Sequence, residues 1–309
     1  MVDATEIQDL QTILNNSSRF NIENHVRVLA NKIVNGDRAN QNFQNRTLGN
    51  LVAGSVAGQM QNLIDKWFLG TDRPRTSSTY QYAQGSLFQN GVSFNDILQG
   101  NLGNCYFLSS LASVALEKPQ YIREMFTDNG DGTFTVRFFR GNVADYVTVD
   151  RFLPTNNNRL VFASTGSSVT NSNNELWVAL AEKAYAQINE SGWIYQDGTN
   201  SYAGIDGGFM SFPIEHITGL SSSSRDSMFM TRQELVDIIN SNKLVTAGFY
   251  EAKNGMASNH AYTVTSYNQS SDRFSFFNPW GAGSWGPAQV ELNWQQIYSM
   301  DAVFVWSNT

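Results

Sequence analysis

The chain has 309 residues, a net charge of −7, and 20 Phe, 12 Tyr and 7 Trp. The acidic balance excludes a surface built for phosphate backbones, which needs clustered Lys and Arg. A single cysteine and three dispersed histidines exclude a disulfide framework and a Cys/His metal cluster.

The apolar content is sufficient for one large domain or two modest ones. No apolar run approaches the roughly 20 residues of a membrane span. The start, MVDATEIQDL, lacks the basic and apolar regions of a secretory leader. Compatible compartments are the cytoplasm or, through export without such a leader, the exterior. Neither nucleic acid nor membrane is expected as a partner.

Residues 1–68 read as helical. Ile7, Leu10, Ile13 and Leu14 form one stripe; Ile22, Val26, Leu29 and Ile33 a second; Leu48, Leu51, Val52, Leu63, Ile64 and Trp67 a third. Gly54 and Gly58 in AGSVAGQ suggest close packing against another helix. LGTDRPRTSSTY, residues 69–80, has the composition of an exposed linker, and a boundary is placed there.

After Cys105 an apolar helical pattern continues to Pro119. DNGDG at 128–132 is a turn, and TFTVRFF and DYVTVD alternate as strands around Gly141–Asn142. NNELWVALAEKAYAQINES is a helix, and Thr231 with Glu234 makes a capping box for a helix over 232–240. LVTAGFY, HAYTVTSY, RFSFFN, AQVEL and AVFVW then read as strands. Two polar stretches, TNNNRLVFASTGSSVTNSNN and GLSSSSRDS, are expected to be mobile loops. The order is a helical half followed by a β half.

The lone thiol, in LQGNLGNCYF, is either an inert core atom or a reagent. Asn104 is placed to cap the helix opening at Cys105. The first turn of that helix favours a thiolate, and Gly100 and Gly103 let the approaching loop turn tightly. Acyl transfer also needs a proton acceptor and oxyanion donors. His25 and His216 read as structural. His260 opens a strand, where an imidazole is held rigidly. Asn278, in NPWG, ends another strand and can accept the second imidazole N–H, with Trp280 shielding that bond from water. Gln99 can donate to an oxyanion together with the Cys105 backbone N–H. Each piece has an ordinary structural reading, but the order Gln, Cys, His, Asn matches nucleophile, base and orienter.

These residues resemble the calpain family. DILQGNLGNC is similar to its nucleophile signature, LWVALAEKAYAQIN to the helix that follows, EHITG to a turn, and HAYTVTSY and FFNPWG to its His and Asn motifs. The resemblance covers about residues 80–309. It implies an α+β, papain-like cysteine protease core: a helical subdomain over about 80–195, a β-sheet or barrel subdomain over about 196–309, and a cleft between them. A helical N-terminal segment, 1–72, precedes the core at 73–309.

The implied activity is hydrolysis of internal peptide bonds of proteins. By position Cys105 is the nucleophile, His260 the base, Asn278 the orienter and Gln99 the oxyanion donor. Gly207 and Gly208 are candidates for strand-like pairing with substrate. The resemblance further implies one Ca²⁺ site from Asp96 and Glu182 with carbonyls near Gln89 and Gly91, the hard oxygen ligands that ion prefers. No organic cofactor is implied. Three departures from the family pattern are Tyr106 after the thiol, Asn259 before the histidine, and Ser284 where a second calcium site would have an acid; a second calcium is not expected. Segment 1–72 is expected either to act as an intramolecular inhibitor, cleaved within the linker that carries Arg73 and Arg75, or to stay docked as a permanent helical cap. The competing functions are a transglutaminase-like acyl transferase and an inactive protease scaffold used for binding.

Overall fold

A computed structural model describes residues 1–282 and 286–309; the expectation for Ser284 falls outside the described residues. Asp3 caps α1 (Ala4–Asn15) through a reciprocal bond pair with Glu6, and α2 (Asn24–Val34) follows. A short hairpin, β1 (Asn42–Phe43) and β2 (Arg46–Thr47), leads to α3 (Ala57–Trp67). The third predicted stripe is therefore helical only in its second half. Gly54 lies in a turn with positive φ, and a Cβ at either Gly54 or Gly58 would meet nothing, so these glycines do not serve close helix packing.

Residues 69–80 are not a free linker. The Lys66 ammonium binds the Asp72 and Glu190 carboxylates and the Asn42 carbonyl, Arg73 pairs with Asp150 and sits over the Phe152 ring, and Arg75 N–H donates to the Asn200 carbonyl. Gly70, Asp72 and Pro74 are buried. Apolar composition did not signal this, because charge pairs and backbone bonds hold the segment.

β3 (Thr79–Tyr82) leads to the loop ahead of Cys105 and to α4 (Cys105–Glu117), which Pro119 ends as it starts α5 (Pro119–Met125). β4 (Phe126–Asp128), β5 (Thr133–Arg140) and β6 (Val143–Asp150) form an antiparallel sheet; β5 and β6 pair around the Gly141 turn from Thr133↔Asp150 to Arg140↔Val143. β7 (Phe152–Asn156) pairs with β3 and with β8 (Arg159–Leu160). α6 (Trp177–Ile188) is buried along its whole length. α7 (Pro213–Thr218) ends at Gly219 in the left-handed region.

The second half is a six-stranded antiparallel sheet. β9 (Ser222–Asp226) is its edge, followed in chain order by α8 (Arg232–Asn240), β10 (Val245–Phe249), β11 (His260–Asn268), β12 (Arg273–Phe277), β13 (Gln289–Leu292), α9 (Trp294–Tyr298) and β14 (Val303–Ser307). The spatial order is β13-β12-β11-β10-β14-β9. The Ser-rich stretch expected to be mobile is thus strand β9, whose ladder with β14 comes from backbone groups and whose polar side chains suit an edge. The other polar stretch carries β8 and buries Ala163, Val169 and Asn174, so it too is ordered.

Two apolar cores correspond to the two halves. One runs through α4, α6 and the β4–β6 sheet and takes in Leu29, Ile33, Leu63 and Trp67 of the N-terminal helices. The other fills the six-stranded sheet around Phe249, Tyr262, Phe274 and Phe304. Helices α2 and α3 pack on β6. Among the described residues no helix is long and apolar enough to cross a membrane.

Candidate active site

The two halves meet where α4 packs on β11 and β10. Thr263 Oγ1 donates to the Ser109 carbonyl at 2.7 Å, and Ser113 Oγ accepts from Val245 N–H at 2.8 Å. These bonds couple helix to sheet, so Cys105 at the start of α4 and His260 at the start of β11 open onto the same cleft.

The loop ahead of α4 is tied to the loop after β12. Gln99 N–H donates to the Pro279 carbonyl at 2.8 Å, and Gly281, at φ +71°, approaches Ile97 and Leu98 too closely for a side chain. Gly100 passes against the Val161 and Phe162 carbonyls, where a Cβ would lie 2.1 Å from the Phe162 oxygen. The tight approach expected of Gly100 is present, and it explains the glycine.

His260 Nε2 lies 2.9 Å from Asn278 Oδ1. That oxygen also accepts from Trp280 N–H at 3.1 Å, while Asn278 Nδ2 donates to the Pro287 carbonyl at 3.4 Å. The carboxamide is oriented by these contacts, so Nε2 carries the imidazole proton and Nδ1 is left as the basic nitrogen. The Trp280 ring lies over the imidazole at 4.3 Å between centroids, and Tyr262 meets it edge-on. His260 is 6% exposed and Asn278 1%, so the pair is shielded from water.

No hydrogen bond joins the Cys105 thiol to His260. Burial pushes the thiol above its ordinary 9.0, against the opposing influence of the N–H groups of Ala261, Tyr106 and Cys105 itself. Burial likewise lowers the His260 imidazole, partly offset by its bond to Asn278. Both shifts act toward the neutral forms of sulfur and imidazole. Asn104 does not cap α4 with its side chain; its Nδ2 donates to Glu182 at 2.7 Å instead.

Gln99 Nε2 donates to the Leu102 carbonyl at 2.6 Å, and its Oε1 is buried with no partner among the described residues. One amide N–H is thereby committed, leaving the second for another acceptor. Gly207 N–H donates to the Gly103 carbonyl, and Gly207 is open on its Cβ side; a Cβ at Gly208 would strike Tyr106 and Gln196. Tyr106 uses its hydroxyl on the Ile205 carbonyl, which gives the residue after the thiol a packing role.

The cleft has two arms on either side of Cys105 and His260. One, a cavity of about 400 Å³, is lined by Gly208, Met210, Phe249, Val303 and Val305. The other is lined by Gln99, Gly100, Leu102 and Trp280. None of the residues lining either arm comes from 1–72. The N-terminal segment packs through α2 and α3 against β6.

Of the residues expected to hold calcium, Glu182 is buried against two protein donors. It is 1% exposed, its oxygens accept from Asn104 and from Ala163 N–H, and burial pushes its carboxyl up to about 7. The carboxylate beside Asp96 is Glu175, two residues before α6 begins: its Oε1 accepts from Gln89 N–H at 2.8 Å, and the charge of Asp96 contributes to raising its carboxyl to about 6, behind burial. Asp96 itself accepts from Ser93 N–H and from Trp177 Nε1. The Gln89–Gly91 turn, with Asn90 and Gly91 at positive φ, lies at this carboxylate pair. Glu175 is not among the residues singled out from the sequence, where the EKAY motif points to Glu182. Among the described residues no three His, Cys, Asp or Glu side chains cluster to hold a metal, so a cation here would need backbone carbonyls as well.

A sequence profile described as calpain family cysteine protease matches residues 67–302. The chain is 30% identical over 244 residues to calpain clp-4 of Caenorhabditis elegans, covering 70% of this chain and 32% of that protein. It is 30% identical over 251 residues to calpain-5 of Mus musculus, covering 68% and 38%, and 30% identical over 238 residues to mouse calpain-9, covering 67% and 31%. The chain thus spans about a third of the length of these curated relatives.

Proposed function

Because the chain belongs to the calpain family of cysteine proteases, we propose that it is an endopeptidase that cuts internal peptide bonds of proteins with Cys105, His260, Asn278 and Gln99. The observation that carries this reading is the 2.9 Å bond between His260 and Asn278, facing the cleft that also holds the thiol. Narrowing that cleft brings Nδ1 of His260 to the sulfur. The imidazole then takes the thiol proton, and the resulting ion pair stabilises a thiolate that burial alone disfavours.

The thiolate attacks the peptide carbonyl. The free N–H of Gln99 and the Cys105 backbone N–H receive the oxyanion. The imidazolium donates its proton to the leaving amine, and Asn278 holds the ring through the transfer. Water, deprotonated by the same imidazole, then releases the acyl group and restores the thiol. Substrate backbone pairs with Gly207 and Gly208 on the acyl side of the cut, and the arm with Met210, Phe249, Val303 and Val305 receives an apolar side chain upstream of it.

Calcium is proposed at Asp96 and Glu175 with the carbonyls of Gln89 and Gly91. The paired hard carboxylates at one turn support this set. It would supply charge that draws the nucleophile loop and α6 together. The N-terminal segment is read as a retained cap on the helical half.

The test is cleavage of casein by wild type and Cys105→Ala across a calcium titration, with a primary amine added in parallel. Cutting that is lost in the variant supports the endopeptidase. Amine incorporation outpacing cutting would establish an acyl transferase instead. Failure of the wild-type thiol to react with a peptide electrophile in calcium would leave only a binding scaffold.

A further inference from the structure

Building on the endopeptidase reading, we propose that Asp206 is a specificity residue that favours substrates with Lys or Arg immediately on the acyl side of the cut bond. Asp206 follows the single turn Ala203–Ile205 and is exposed beside the nucleophile loop. Its Oδ1 accepts from Gly103 N–H at 2.7 Å, and the next residue, Gly207, donates its N–H to the Gly103 carbonyl at 2.8 Å. These reciprocal bonds strap Asp206 to the loop two residues ahead of Cys105. Gly103 must be glycine for this, since a Cβ there would sit 2.6 Å from Asp206 Oδ1.

The strap engages one carboxylate oxygen. The other, Oδ2, has no hydrogen-bond or ion-pair partner among the described residues. Asp206 thus presents an uncompensated negative charge next to the reacting sulfur, and that charge acts on the thiols and phenols around it, opposing ionisation of both Cys105 and Tyr106.

A peptide paired with Gly207 and Gly208 carries its first acyl-side residue past Asp206. Apolar and polar side chains of that residue gain nothing from the carboxylate, whereas the long stem of Lys or Arg carries a cation to it. The apolar arm at Gly208 then takes the residue before it. This pairing divides selection between two neighbouring substrate positions: cation first, apolar side chain next.

The experiment uses the full chain with calcium and matched peptides bearing Lys, Arg or Gln at the acyl-side position, assayed at low and high ionic strength. Asp206→Asn keeps an oxygen for Gly103 N–H and removes only the charge. Wild type is expected to favour Lys and Arg over Gln in kcat/KM by about three- to fivefold, the size of an exposed ion pair. The preference shrinks at high salt and falls to about one in the variant. A wild-type ratio near one, a preference at the residue after the cut, or a ratio that survives Asp206→Asn overturns the assignment while leaving the endopeptidase intact. Absence of cutting with every peptide overturns the endopeptidase reading as well.

Discussion

Lys66 Nζ lies 2.7 Å from Glu190 Oε2, joining the last turn of α3 to the end of α6 across 124 residues of chain. The same ammonium holds Asp72, and all three groups are buried. Breaking a buried cluster from one side strands the remaining charges without water or a partner. Lys66→Met is therefore expected to lower unfolding free energy by about 3–5 kcal/mol, read by urea denaturation. A change below 1 kcal/mol, or loss of α1–α3 with the core still folded, would contradict the retained-cap reading.

His216 sits beneath Tyr185, whose hydroxyl is 2.9 Å from Nδ1, and burial lowers its pKa to about 3. Its folded value lies below its unfolded value near 6.5, so the neutral ring contributes stability at higher pH. That contribution is lost as pH falls from about 6.5 toward 3, by about 1.4 kcal/mol per unit. Glu182, raised to about 7, works the other way: its folded state binds a proton that the unfolded chain releases, so it adds stability as pH falls from about 7 to 4.5. Denaturation across this range should show a flatter profile in wild type than in Glu182→Gln, and a steeper acid loss than in His216→Gln. Parallel profiles for all three proteins would refute the balance.

Burial acts toward the neutral forms of the Cys105 thiol and the His260 imidazole. In calcium-free chain, alkylation of Cys105 by iodoacetamide should rise only above the ordinary 9.0 of a thiol, and His260→Ala should leave that pH dependence nearly unchanged. If alkylation has already reached its plateau in acid and His260→Ala moves it upward by several units, the pair is assembled at rest.

In the proposed mechanism Asn278 Oδ1 accepts from a ring that becomes positively charged. Hydrogen bonds to charged groups contribute about 1.5–3 kcal/mol. Asn278→Ala should cut kcat roughly ten- to hundredfold with KM little changed, measured on a fluorogenic peptide. An equal loss in KM alone would assign Asn278 to substrate binding.

Glu175 accepts from Gln89 N–H and feels the charge of Asp96, whereas Glu182 accepts from Asn104 and Ala163 N–H. By isothermal titration calorimetry, Glu175→Gln should weaken calcium binding at least tenfold and Glu182→Gln should leave it within a factor of two. The reverse ranking would return the site to Glu182.

Local pattern carried much of the architecture. The capping box Thr231–Glu234 places α8 at its observed start, the alternation of 133–150 places β5 and β6, and the unbroken apolar run after Cys105 places α4. It failed where order comes from groups other than apolar side chains. β9 is nearly all polar and exists because β14 offers a ladder, and residues 69–80 are held by Lys66, Asp150 and Asn200. The surroundings of Glu175 and Glu182 were illegible for a related reason: whether a carboxylate faces a turn or a buried amide depends on helix rotation and neighbours distant in the chain.

From its own residues the chain determined a thiol ahead of an apolar helix, a histidine opening a strand and an asparagine ending one, because these roles depend on short-range spacing and residue type. Only the tertiary structure decided that His260 and Asn278 bond beside the cleft that holds the sulfur, that the N-terminal helices pack on β6, and that Asp206 is strapped to the loop ahead of Cys105. Those relations join segments separated by tens to more than a hundred residues, and their outcome is set by how the two cores pack, which no local pattern encodes.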